Sequence, residues 1–386
     1  MKRKIFSTIA AVLLVFTVVL SACGEKAESP KELLKEANEK ALEMESYSFD
    51  GNMNLSMNIP AEAMSEAPEM AMFAGMFQNI NLDVSGVYQQ DPMKMEMVMD
   101  LEIPGDMSFN FSLPMVMEQD KMLIKVPNIP FVPLPQEITG KFIEIDYNEL
   151  AEQSGEEIMP FVYGDLQKQN ELVMEMSNIF FSHYGDEYFT LVADDQLPEG
   201  TDIEKAVEMK LTNENVQKAA LTFMDNVLPE LLELLADPKY AEVLQIDPAD
   251  VEVTKEELAD ARSELVAFFE DEQNTVKVND LTFVNGINSD DYISYQGMTM
   301  DIDAITEGQS VNVVLDMFME MSQINQNPDF TVEVSPDDVI TLQELEEIMN
   351  STFGAFEATP EPMEIEGLEE LTEEEIEALL EETMSN

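Results

Sequence analysis

Residues 93–103 read MKMEMVMDLEI, and apolar side chains hold every odd position: Met93, Met95, Met97, Met99, Leu101 and Ile103. Lys94, Glu96, Asp100 and Glu102 take most of the even ones. A period of two sends alternate side chains to opposite faces of an extended chain, so the stretch reads as a half-buried antiparallel strand. The pattern recurs on both sides. Met53, Leu55, Met57 and Ile59 alternate with Asn52, Asn54, Ser56 and Asn58. Leu82, Val84 and Tyr88 mark a strand that the turn Gln89–Pro92 joins to residues 93–103. After the turn Pro104-Gly105-Asp106, Met107, Phe109, Phe111 and Leu113 repeat the alternation, residues 115–126 form a further hairpin, and Phe142–Asp146 is another strand. Consecutive hairpins make a meander the economical topology.

Further out the period changes. Ser29-Pro30-Lys31-Glu32 is a capping box with proline at the first helical position, and Leu33, Leu34, Ala37, Ala41 and Met44 follow at helical spacing. From Asn148 to about Gln273 helical periodicity dominates, with a strand-like interruption near Tyr188–Val192. Val216, Ala219, Ala220, Phe223, Val227, Leu231 and Leu234 form one stripe, which Pro229 should kink. Thr254-x-x-Glu257 reads as the cap of a helix running towards Phe269. Alternation returns over 276–284, 293–302 and 311–321, Phe330–Val334 reads as a short strand, and Thr341-x-x-Glu344 starts a helix through Met349. Ala61–Gln78, rich in Met and Ala, is either a helical flap or a loop. Long strands at both ends of the chain predict an α+β fold: one large, curved antiparallel sheet, a half-barrel, with an N-terminal helix and covering helices from a central insertion at about 148–273.

Composition narrows the function. Against 80 acidic residues stand 19 basic ones, a formal charge of −61. Such a field repels nucleic acid, so no nucleic-acid partner is expected. Cys23 is the sole cysteine and His183 the sole histidine, and Arg262 is the only arginine beyond Arg3. That leaves little for zinc ligation, acid–base catalysis or phosphate clamping. Carboxylate pairs such as Asp290-Asp291, Asp301 with Asp303, and Asp337-Asp338 are too common here to single one out, and none fits an EF-hand loop. No nucleophile elbow, P-loop or dinucleotide fingerprint occurs. The expectation is a non-enzyme without cofactor or metal.

The N-terminus has a basic start, Lys2-Arg3-Lys4, an apolar run Ile5–Leu20, and then Leu20-Ser21-Ala22-Cys23-Gly24. LSAC-G resembles the lipobox of bacterial lipoproteins, which implies cleavage after Ala22 and an acylated Cys23 as the membrane anchor on the extracytoplasmic side. The domain reading is a signal peptide at 1–22, a tether at 23–28, a half-barrel at 29–350, and an acidic tail at 351–386 with a short amphipathic helix at Thr372–Leu380. Lipobox, capped helix, meander, insertion and second set of strands together resemble bacterial lipoprotein-carrier proteins and mycobacterial lipid-transport lipoproteins. The junction of the first helix with Ser46-Tyr47-Ser48-Phe49-Asp50-Gly51 resembles the start of Gram-positive surface lipoproteins. Members of the half-barrel fold hold acyl chains between sheet and helices, so the resemblance implies an apolar ligand.

Methionine is the unusual residue, 29 of them with no tryptophan. Flexible thioethers accept apolar partners of varied shape. The candidate ligand face is Met53, Leu55, Met57, Met95, Met97, Met99, Phe109, Phe111, Met317 and Met319. Either these side chains line a site for a lipid or small apolar molecule, or they pack under the chain's own helices. The alternative function is an envelope protein that meets a protein partner through its acidic surface or tail.

Overall fold

The computed structural model describes residues 29–59, 79–104, 108–128, 134–154, 166–198, 200–240, 248–270, 275–306 and 309–353. Cys23, the connection Ala61–Gln78 and the tail helix at Thr372–Leu380 lie outside them. The chain forms two compact units, residues 1–342 and 343–386. In the second, the described residues belong to helix Leu342–Phe353.

The first unit is built on one open sheet of twelve strands. Six come from the first half of the chain: β1 (Ser46–Asn58), β2 (Asn79–Gln89), β3 (Lys94–Ile103), β4 (Phe109–Glu118), β5 (Lys121–Lys125) and β6 (Phe142–Asp146). They form the expected meander. Five come from later in the chain: β7 (Phe189–Leu191), β8 (Lys205–Lys210), β9 (Thr275–Ile287), β10 (Ile293–Thr306) and β11 (Gln309–Ser322). The order is β12-β6-β5-β4-β3-β2-β1-β11-β10-β9-β8-β7, so two meanders are spliced where β1 meets β11. That seam runs from Ser48 opposite Ser322 to Asn58 opposite Asn312. Every pairing is antiparallel except that of β12 (Val339–Thr341), which lies parallel to β6 at the edge. The α+β class and the large open antiparallel sheet are as the sequence predicts.

Helix α1 (Pro30–Ala41) begins where its cap demands: Ser29 Oγ accepts from the Glu32 N–H at 3.3 Å. It buries Leu34, Ala37 and Asn38 and packs on β7, β8 and β10. Over the same strands lie α3 (Leu166–His183), α4 (Val216–Thr222) and α5 (Leu228–Ala236), preceded in the chain by α2 (Tyr147–Ser154) after β6. Their joint core includes Leu34, Leu172, Phe181, Tyr184, Val207, Val227, Leu231 and Ile287. The kink expected at Pro229 takes the form of a π turn, Phe223–Val227, in which the Leu228 N–H reaches back five residues to the Phe223 carbonyl. Proline has no N–H to continue the α ladder, and the wider turn absorbs that loss. Arg262, on α6 (Pro248–Glu270), grips Asp225 of the π turn with both arms of its guanidinium, one bond at 3.0 Å. The arginine is thus structural.

Three expectations need correction. Strand β8 interrupts the middle of the chain that reads as helical. Ala206 and Val207 are both fully buried there, so its two faces carry no alternation to detect. Helix α6 starts at Pro248, six residues before Thr254, using proline at its first position instead of the Thr254 box. Finally, Phe330–Val334 is not a strand.

That last segment is a strap. Leaving β11, the chain turns through Gln323 and Asn325, both with positive φ, and Asn325 ties it to the start of β1 by accepting from the Glu45 N–H at 2.6 Å. It then crosses the polar face of the sheet. Glu96 of β3, 2% exposed, accepts from the Thr331 and Val332 N–H groups at 2.6 and 2.9 Å. Lys94 pairs with Glu96 at 3.0 Å and stands over the Phe330 ring. Val332, Val334 and Val339 pack on Val116, Leu123 and Phe142, a small core beneath the strap. A carboxylate supplies the hydrogen bonds that a neighbouring strand would give, which is why the segment's alternation misleads.

Candidate apolar binding face

Residues directly opposite each other in a ladder share a face, so register decides which side chains meet. Across the splice, Met53 of β1 faces Met317 of β11 on one side and Leu82 of β2 on the other. Followed outward, the row reads Phe111, Leu101, Leu82, Met53, Met317, Met298, Phe283, Met209 and Phe189. It is apolar on every strand from β4 to β7. A second row, Met97, Met115, Ile124 and Ile143, extends the face over β3 to β6. Nine of the ten expected side chains belong to this face by register, and the backbone of Phe109 pairs with Ile103.

Burial along the long row is uneven. Phe189, Met209 and Met298 are buried, at 3%, 6% and 4% exposure. Met317, Met53, Leu82, Leu101 and Phe111 are half-buried. The difference follows the helices. Met53, Leu55 and Met317 belong to a cluster with Val278, Leu281, Met298 and Leu315, reached by Leu211 and by Val216, the first residue of α4. Among the described residues, the core clusters that contain helix residues draw nothing from β2 to β6. Met95, Met97, Met99, Leu113 and Met115 are all half-buried. Of the ten expected residues, then, the structure divides three that pack in the chain's own core from Met57, Met95, Met97 and Met99, which among the described residues belong to none of these helix-containing clusters. Met319 crosses the seam: a Cβ on Gly51 would meet its Cε at 3.0 Å.

Two aromatic hydroxyls close one end of the face. Tyr47 and Tyr88 are register partners with ring centroids 5.3 Å apart, and Tyr88 faces Met95. Burial, reinforced by the neighbouring Tyr88, pushes the Tyr47 hydroxyl up to about 12, and burial raises that of Tyr88 as well. Both are therefore neutral donors at any ordinary pH. Phe49, 6% exposed, lies across Gly86, where a Cβ would sit 2.4 Å from its ring.

Leu113, Met115, Ile124 and Ile143 are absent from the sequence-based list. Their strands are correctly anticipated, but β5 and β6, which carry Ile124 and Ile143, have five residues each, too few for alternation to reveal which face is apolar. Cross-strand register supplies what periodicity lacks. Elsewhere, His183 meets Glu230 at 3.0 Å, joining α3 to α5. Among the described residues no group of three or more potential ligands gathers for a metal ion, and no helix is long and apolar enough to cross a membrane. An open depression of about 410 Å³ on the outer side of α4 is lined by Glu214, Gln217, Lys218, Leu221, Thr222, Asp225 and Asn226, a mixed polar set with no convergent chemistry. Compared with known proteins, the chain matches no family model and no curated sequence.

Proposed function

We propose that this protein is a lipid-anchored, extracytoplasmic binding protein that holds an acyl chain or another extended apolar ligand on the β2–β6 part of its methionine face. The observation that carries the reading is the long apolar row. The same register that is sealed by helices at Met298, Met209 and Phe189 continues as Met53, Leu82, Leu101 and Phe111 without a fully buried member. A row of apolar side chains left partly exposed along a sheet suits a surface that a ligand covers. Thioether side chains suit a flexible occupant of variable shape, because they re-pack at little cost. Tyr47 and Tyr88 provide hydroxyl donors at one end, where the polar head of a fatty acid would find a partner. No step of chemistry is assigned to the face.

The anchor rests on the sequence alone, on Cys23 closing the LSAC motif. Replacing it, Cys23→Ser, is expected to abolish incorporation of labelled palmitate and to release the protein from the membrane fraction. For the ligand, native mass spectrometry after mild extraction is expected to show the protein with bound lipid, and a fluorescent fatty acid to bind saturably. Bare protein in the first experiment together with no uptake in the second would rule the reading out.

A further inference from the structure

On the polar face of the sheet, Phe318 of β11 is 38% exposed among charged neighbours. Along its own strand it lies between Asp316 and Glu320. Across β1 it faces Asn52, between Asp50 and Asn54, and across β10 it faces Gly297, between Tyr295 and Thr299. Gly297 makes the surface flat: a Cβ there would lie 2.9 Å from Tyr295 Cε1 and 3.0 Å from its hydroxyl. The Tyr295 ring folds down over that glycine and stacks on Phe318, with centroids 6.1 Å apart and planes within 9°.

The rim of this two-ring plate is acidic. Asp50 is directly opposite Glu320, and Asp83, which accepts from the Asn52 amide at 2.7 Å, is directly opposite Asp100. Like charges directly opposite each other weaken strand pairing, so these positions favour an external cation. Two lysines further along this face are committed elsewhere, Lys277 to Asp303 at 3.3 Å and Lys94 to Glu96. Burial and the charge of Glu320 raise the Tyr295 hydroxyl, keeping the ring neutral. An aromatic face inside a ring of carboxylates attracts a cation by quadrupole and charge together, and a planar guanidinium stacks on it best.

We propose that the Phe318–Tyr295 plate, rimmed by Asp50, Asp316 and Glu320, docks an arginine or lysine side chain presented by a basic segment of a partner protein. The inference stands apart from the apolar ligand, which lies on the opposite face. A choline lipid headgroup fits less well, because its phosphate would meet the carboxylate rim.

The test is titration of the purified full-length protein with the acetylated peptide Gly-Arg-Gly-Arg-Gly, and with its neutral citrulline counterpart, at roughly 0.15 M salt. Saturable binding of the arginine peptide alone is expected. Phe318→Ala and Phe318→Leu should each weaken it about five-fold, since the second keeps bulk but loses the π face. The pair Asp50→Asn with Glu320→Gln should weaken it further. Asp290→Asn with Asp291→Asn removes the same charge from an exposed turn and should change it less than about two-fold. Equal weakening by the distant pair would show that net charge alone binds the probe, and unchanged binding by Phe318→Ala would remove the plate from the interaction. Either result overturns the proposal, as would Phe318-dependent binding to phosphatidylcholine vesicles in place of the peptide.

Discussion

At the β7–β10 end of the sheet the apolar row is sealed by helices, and the core there includes some of the most deeply buried side chains of the described molecule, among them Leu34, Val207, Val227 and Ile287. At the β2–β6 end the same row is half-buried, and the strap fastens that end from the other, polar face through Glu96, Val332 and Val334. Each end is thus secured on a different side. The contrast shows that a strand's apolar pattern says nothing about what covers it: Met298 and Met97 are both apolar members of alternating runs, one buried in the core and one half-buried.

The sharpest way to break this comparison is to shorten one side chain in each half. Leu34→Ala, in the sealed half at 1% exposure, should cost about 3 kcal/mol in urea denaturation. Met97→Ala should cost about 1 kcal/mol, because its side chain is half-buried. Equal costs would mean that the two halves are packed alike. The strap gives the next largest effect. Glu96→Ala strands the Thr331 and Val332 N–H groups, with an expected loss of about 2 kcal/mol and faster hydrogen exchange at those two amides. Unchanged exchange would show that the strap holds without its carboxylate.

Tyr47 offers a pH test of the β1–β3 end. Its folded value lies above the unfolded one, so its contribution is complete below about pH 10 and is lost as pH rises towards 12. Tyr47→Phe should therefore flatten the alkaline loss of stability, by on the order of 2 kcal/mol at the top of that range. A parallel decline in both proteins would show that the ring is more open to water than its position implies. The smallest effect belongs to the sealed half. Asn38 is fully buried on α1 with neither amide atom hydrogen-bonded. Asn38→Leu should leave stability unchanged or raise it by about 1 kcal/mol, as expected where a dry core carries a polar group.

Much of this architecture is legible in the sequence because its physics is local. Alternation in Met93–Ile103 and Val311–Met321 fixes strands, and Ser29 with Glu32 fixes the start of α1. What is not legible is set by partners distant in the chain. β8 loses its alternation to burial on both faces. Residues 330–334 keep theirs but find a carboxylate where a strand would have a neighbour. For the candidate face, periodicity identifies apolar positions on β1, β3, β4 and β11, whereas register is needed to add Ile124 and Ile143, and the helix packing to separate Met53 and Met317 from Met97 and Met99. The Phe318–Tyr295 plate escapes a search by period altogether, since Phe318 is an even-position aromatic in a mostly polar set.

The claim at the centre of this account is that the apolar face is a binding surface at β2–β6 and core at β7–β10. Photo-cross-linking with a diazirine-bearing fatty acid, followed by peptide mapping, tests it most directly. Adducts are expected on β3 and β4, at Met97, Met99, Leu113 and Met115, suppressed by excess unlabelled fatty acid, with none at Met298 or Met209. Adducts on β9 and β10 instead, or labelling that unlabelled fatty acid does not suppress, would contradict it.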